Sequence, residues 1–275
     1  MTKPLVIYHG NCADGFGAAW VFWSKYGTAY EYHAGVYNET PPPVKDRDVY
    51  LVDFSYKRPF VEEMIKVANK VVLLDHHKSA LIDLCALEGL EQSHSNLECS
   101  GAMLAWRYHH ADATPPALLA HIQDRDLWHF KLARTREIQA NLFSYPYDFE
   151  VWDKLMKMTK EELTAFADGG MSIERKHFKD IEELLKVTQR TMVIGEYTVP
   201  VAGLPYTLVS DAAAAMALNA PFAACYWDTP TRRKFGLRSS ANGIDVSVIA
   251  SQYGGGGHAR AAGFEVPRDH YLATN

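Results

Sequence analysis

Apolar and polar positions along the first 130 residues switch repeatedly between a strand pattern and a helix pattern. Leu5 to Tyr8 precedes a helical stretch from Gly15 to Tyr26, Val49 to Val52 precedes Phe60 to Ala68, and Val71 to Leu74 runs into a turn. Strands alternating with helices predict a parallel sheet covered by helices. Val71-Val72-Leu73-Leu74 is apolar at every position, as suits a strand buried between two helix layers. The fold class that follows is α/β, a doubly wound, mainly parallel sheet over residues 1–133.

From residue 134 to 190 strand signals give way to helical ones. Thr159-Lys160-Glu161-Glu162 reads as a capping box opening a helix, and Ile173, Phe178, Ile181, Leu184 and Leu185 recur at helical spacing between Ser172 and Val187. This stretch is expected to be a helical connector. Residues 191–275 mix β-like runs around Gly195-Glu196, an Ala-rich helix from Asp211, runs at Phe222 to Trp227 and Lys234 to Arg238, and a glycine cluster. They predict a smaller α+β C-terminal domain.

A chain of 275 residues suits two domains better than one. The net charge of −5 disfavours a broad grip on long nucleic acid, so phosphate recognition should be local. Cys12, Cys85, Cys99 and Cys225 are scattered without a Cys-x-x-Cys pair, which fits free thiols in a reducing compartment. The apolar run Leu5-Val6-Ile7-Tyr8 is too short for a signal peptide, and Asn219 and Pro221 interrupt the Ala-rich stretch. A cytoplasmic protein with no membrane partner is expected.

Ionisable residues gather where the predicted strands end. His9 and Asp14 follow the first, Asp53 follows Val49 to Val52, and Asp75-His76-His77 follows Val71 to Leu74. Ligands of open α/β sheets bind outside the carboxyl ends of the strands, so three such ends predict one shared site. Carboxylates with a few histidines suit a borderline-hard divalent ion such as manganese, and two such ions about 4 Å apart can activate water and stabilise charge on a phosphoryl oxygen. Four consecutive glycines, Gly254 to Gly257, followed by His258 and an expected small-residue helix from Ala259 to Gly263, suggest a phosphate pocket. Trp106-Arg107-Tyr108-His109-His110 follows a Ser100 cap and reads as a helix face rather than a ligand set. Trp128 reads first as core or cleft-wall packing, with base stacking as its alternative role.

Together, His9-Gly-Asn-Cys-Ala-Asp14-Gly, Asp75-His76-His77-Lys78 and Gly254-Gly-Gly-Gly-His258-Ala-Arg-Ala-Ala262-Gly263 resemble the DHH phosphoesterases, in the subgroup with a DHH-associated C-terminal domain. The motifs run in family order across essentially the whole chain. The resemblance implies that His9 and Asp53 hold a first metal, and that Asp53 bridges to a second held by Asp14, His76 and a later Asp. Asp124 is favoured as that residue, with Asp126 as the fallback. It also implies that His77 contacts the substrate phosphate, with Asp75 in the catalytic set. Arg238 and Ser239 would bind substrate with Gly255, Gly256, Gly257 and His258, the Arg238 guanidinium matching a phosphate in bidentate fashion. The sequence departs from the family where its opening motif usually carries two Asp residues: Cys12 stands in place of the first, beside Asn11. A thiolate from Cys12, a carbonyl from Asn11 or an under-liganded first site all follow from that substitution.

The resemblance implies a manganese-dependent phosphodiesterase holding two ions, with magnesium or cobalt as alternatives. Its partners would be short RNA oligonucleotides or linear dinucleotides, and a homodimer is compatible with it. A 3′,5′-bisphosphate nucleotidase and a cyclic-dinucleotide phosphodiesterase are the alternatives in the same class. A non-catalytic nucleotide-binding regulator is the alternative from another.

Overall fold

A computed structural model of the protein describes residues 2–274. Its contacts divide the chain into two compact units, Met1–Glu174 and Arg175–Asn275. The division differs from the expected boundaries at 133/134 and 190/191, because most of the connector is not a separate body. Leu142, Trp152, Met156 and Phe166 lie in the hydrophobic core of the first unit, and the boundary falls inside one long helix.

The first unit is built on five parallel strands: β1 (Leu5–His9), β2 (Glu31–Gly35), β3 (Asp48–Val52), β4 (Lys70–Leu74) and the short β5 (Leu90–Glu91), in the order β2-β1-β3-β4-β5. Its helices are α1 (Ala13–Tyr26), α2 (Arg58–Val67), α3 (Lys78–Asp83), α4 (Gly101–His110), α5 (Ala117–Asp126), α6 (Thr135–Leu142) and α7 (Phe149–Met156), and α8 (Lys160–Thr188) carries the chain into the second unit. Alternate strand residues feed two cores. Val6, Tyr50, Val52, Val72 and Leu74 pack with residues of α1, α4 and α5, whereas Leu5, Ile7, Val49, Leu51, Val71 and Leu73 pack with Val61 and Met64 of α2. The doubly wound α/β expectation therefore matches the structure. The edge strand β2 escaped the pattern because Glu31-Tyr-His-Ala-Gly35 is largely exposed or half-buried and carries no apolar run.

Local caps follow the sequence. Ser100 accepts a hydrogen bond from the Met103 amide at 3.4 Å. Thr159 and Glu162 form the reciprocal capping box, with Thr159 N donating to Glu162 at 2.8 Å and Glu162 N donating to Thr159 Oγ1 at 3.2 Å.

The second unit holds β6 (Arg190–Ile194), β7 (Tyr197–Gly203), α9 (Val209–Met216), β8 (Ala223–Asp228), β9 (Arg232–Arg238), α10 (Val246–Gln252), β10 (Gly256–Gly257), β11 (Ala261–Pro267) and α11 (Tyr271–Thr274). Its sheet runs β10-β11-β9-β8-β7-β6 and is mixed, since β7 and β8 pair in parallel. One expectation is corrected here: residues 261–267 form a strand, not the continuation of a small-residue helix from Ala259. Ala262, Phe264 and Val266 alternate inward while β11 pairs with β9 along its whole length, and period-two burial excludes a helix. Among the described residues no helix is long and apolar enough to cross a membrane.

Candidate metal centre

Strand ends and two helix starts converge to build the site. β1 ends at His9, β3 delivers Asp53 one residue past its end, and β4 leads into Asp75, His76 and His77. Asp14 lies in the first turn of α1. Asp53 adopts a left-handed backbone (φ 52°), which is costly for a non-glycine residue and tends to persist where a site holds it.

Two glycines admit the helices. A Cβ at Gly15 would lie 2.7 Å from the His9 Cβ, and one at Gly101 would lie 2.8 Å from the Asp53 Cα. With Gly101 seated on Asp53, the start of α4 reaches Asp14, whose carboxylate accepts from the Gly101 amide at 2.6 Å and the Ala102 amide at 3.2 Å. Gly101 was not among the residues read as functional. Its only sequence signal is the small run Ser100-Gly101-Ala102.

His76 Nε2 stands at the centre of the carboxylates, 3.1 Å from Asp53 Oδ1, 3.4 Å from Asp126 Oδ2 and 3.8 Å from Asp14 Oδ2. His9 Nδ1 is 3.6 Å from Asp53 Oδ2. Ligand atoms of Asp14, Asp53 and His76 lie within 4.8 Å of one another, as do those of His9, Asp53 and His77, so Asp53 joins two potential ligand groups. His77 is thereby a ligand candidate besides the phosphate contact expected of it. Asp75 orients it, since Asp75 Oδ1 accepts from the His77 amide at 3.2 Å and pairs with His77 Nδ1 at 2.7 Å. Asp75 thus positions the His77 ring through Nδ1.

The electrostatics fit a cation. Burial and then the charges of Asp53 and Asp126 raise the Asp14 carboxyl well above its ordinary range. Burial opposes ionisation of Asp53 too, but hydrogen bonds from His76 and His9 outweigh it and hold that carboxyl well below the usual range. Burial would lower the His76 pKa, yet Asp53, Asp126 and Asp14 raise it well above the histidine norm. Asp126 Oδ2 is buried with no hydrogen-bond partner. Three crowded carboxylates, an orphaned carboxylate oxygen and flanking imidazoles are a donor set for hard or borderline divalent ions.

Asp124 does not join them, which corrects the favoured choice of later ligand. Its carboxylate is used up in shaping the following loop, accepting from the Lys131 amide at 2.8 Å, the Leu132 amide at 3.0 Å and the Thr135 hydroxyl at 2.6 Å. Asp126, at the end of α5, is the residue beside His76. Two residues on, Trp128 is 37% exposed and packs edge-on against Phe130. The substitution in the opening motif also resolves spatially. The exposed Asn11 turns through a left-handed backbone (φ 56°), while the Cys12 side chain hydrogen-bonds His9 and feels the charges of Asp53 and Asp126.

No family model matches the sequence. The uncharacterized protein R106 of Acanthamoeba polyphaga mimivirus is 32% identical over 94% of this chain, which spans 66% of that relative's length. Similar solved structures include a pGpG-specific phosphodiesterase, PggH, from Vibrio cholerae (12% identity, 97% of this chain and 94% of that one, TM-score 0.46). They also include RecJ from Thermus thermophilus in complex with Mn2+ (15% identity, 95% and 49%, TM-score 0.49). In this structure the opening motif and the Asp75-His76-His77 motif close on a single carboxylate and imidazole cluster. Both motifs are those through which the chain resembles the DHH phosphoesterases.

The remaining motif lies in the second unit. Arg238 ends β9, with its guanidinium donating to Ser210 Oγ at 2.7 Å and to the Leu237 carbonyl at 2.8 Å. The Ser239 amide donates to the Arg260 carbonyl at 3.1 Å, and the Ser239 hydroxyl donates to the Ala259 carbonyl at 3.4 Å. Gly256 and Gly257 form the short strand β10 against Gly263 and Ala262, after Gly255, and the His258 amide closes the turn onto the Ala261 carbonyl at 2.8 Å. The glycines therefore make a tight strand turn rather than a helix start.

Proposed function

We propose that this protein is a divalent-metal-dependent phosphoesterase that hydrolyses phosphodiesters of short RNA oligonucleotides or linear dinucleotides to mononucleotides, using manganese. The observation that carries the reading is the convergence of His9, Asp14, Asp53, His76 and Asp126 on one buried cluster with an orphaned carboxylate oxygen. Divalent ions held there would supply Lewis-acid stabilisation of a phosphoryl oxygen and a more acidic water. Asp53 would serve both ion positions. Asp75 fixes the His77 ring through Nδ1, and the ring would then contact the substrate phosphate. Arg238 and the glycine turn, in the second unit, are proposed to hold a further phosphate of the substrate. The net charge of −5 supports a short substrate over a long one. The chain's location is proposed to be cytoplasmic.

Product chromatography tests this directly. Purified protein with manganese is incubated with a linear diribonucleotide, a 5-mer RNA, a bisphosphorylated adenosine and a cyclic dinucleotide, beside an Asp53→Ala control. Mononucleotides from the dinucleotide or the 5-mer, absent in the control, are expected. Cleavage of only the bisphosphate or the cyclic compound would overturn the substrate, and nucleotide binding without turnover would make the protein a regulator.

A further inference from the structure

Tyr37, a half-exposed residue, stands beside the metal-ligand cluster. β2 pairs in parallel with β1 so that Gly35 is level with His9, and the Gly10 amide donates to the Gly35 carbonyl at 2.9 Å. The chain then turns, with Asn38 left-handed (φ 69°) and the Glu39 amide donating to the Val36 carbonyl at 3.2 Å. Tyr37 is thereby set at the carboxyl edge of the sheet, where ligands of such folds bind.

The ring is held in place from two sides. Phe54, fully buried and next to Asp53 in the chain, lies 4.8 Å from it centroid to centroid. Gly35 makes room for Phe54, since a Cβ there would meet the Phe54 ring at 2.7 Å. His9 stands edge-on at 5.3 Å. Even so, 43% of Tyr37 and 38% of its neighbour Val36 remain exposed. A rigid ring of this kind loses little conformational entropy on binding and presents a flat apolar surface to a flat partner.

We infer that Tyr37 is the stacking platform for a nucleobase of the bound substrate, and so a determinant of specificity for nucleotide over base-free phosphodiesters. The inference rests on the phosphoesterase reading above and deepens it. Stacking of a base on an aromatic side chain tolerates any base, so the platform selects nucleotides without selecting sequence.

The test compares wild type, Tyr37→Phe and Tyr37→Ala on a linear dinucleotide and on an abasic dinucleotide of the same backbone, with calorimetric binding of a mononucleotide and of ribose 5-phosphate alongside. Tyr37→Ala is expected to raise KM for the dinucleotide by about 5- to 100-fold, the range given by loss of one stacked base, with a far smaller effect on the abasic compound. Tyr37→Phe restores the preference. The mononucleotide should bind wild type more tightly than ribose 5-phosphate does, and Tyr37→Ala should erase the difference. Equal losses on base-bearing and abasic substrates, or a fall in kcat with KM unchanged, would overturn the platform while leaving the phosphoesterase intact. If wild type cleaves neither diester, the phosphoesterase reading falls, and the calorimetric comparison still decides whether Tyr37 binds a base.

Discussion

Gly101 and Asp53 are packed so closely that no side chain fits between them: a Cβ at position 101 would overlap the Asp53 Cβ and stand 2.8 Å from its Cα. The same Gly101 donates its amide to Asp14 at 2.6 Å, so one small residue sets two of the three clustered carboxylates. Gly101→Ala must push α4 away from the end of β3, and overpacking of this kind costs about 1–3 kcal/mol. Manganese affinity measured by calorimetry is expected to fall by about tenfold or more, the scale seen when the support of a ligand is lost. Wild-type affinity in the alanine variant would show that the contact does not position the site.

Asp124 and Asp126 separate into a structural and a ligand-side role. Asp124→Asn weakens three hydrogen bonds that shape the loop to Thr135, and a loss of about 2–4 kcal/mol in unfolding free energy is expected. Asp126→Asn removes charge from a crowded group whose Oδ2 has no hydrogen-bond partner, so stability should be kept while metal affinity falls. Thermal unfolding and metal titration of both variants check the pair, and the reverse pattern would restore Asp124 as the ligand.

Asp75 is predicted to act through His77. Asp75→Asn keeps the shape but weakens the 2.7 Å contact to Nδ1 and the preference for one ring tautomer. Turnover is expected to drop by about 10- to 100-fold with bound metal unchanged. Loss of metal together with turnover would instead place Asp75 in support of the ligands themselves.

The parts of this architecture that rest on period and burial were legible in the chain. Val71 to Leu74 and Val49 to Val52 announce strands because both of their faces are buried, and their ends mark the cluster. What the chain concealed depends on direction rather than pattern. Asp124 and Asp126 sit two apart on one helix end, about 200° of rotation, so they face opposite ways, and no local signal says which way the site lies. Ala259 to Gly263 has helix-compatible composition, yet pairing with β9 makes its second half a strand. Gly101 and Tyr37 matter through contacts with Asp53, Phe54 and His9, far along the sequence, which no window of residues contains.

His109 gives the fold an acid-sensitive point outside the metal centre. Its ring stands edge-on to Phe22 at 4.4 Å and Tyr26 at 5.4 Å, and its Nε2 is buried without a hydrogen-bond partner. Burial, with Lys25 and His110 adding positive charge nearby, lowers its pKa to about 4; Tyr26 and Tyr108 are the uncharged groups around it. The unfolded chain therefore takes up a proton that the folded one refuses between pH ~6.5 and ~4. Stability is fully present above the unfolded pKa and is lost as pH falls through that window. In His109→Phe the residue cannot titrate, so denaturant unfolding of the metal-free proteins at pH 7, 5.5 and 4 should show a shallower acid loss than wild type. Parallel pH profiles for the two proteins would mean that His109 is charged inside the fold and that its aromatic surroundings do not exclude the proton.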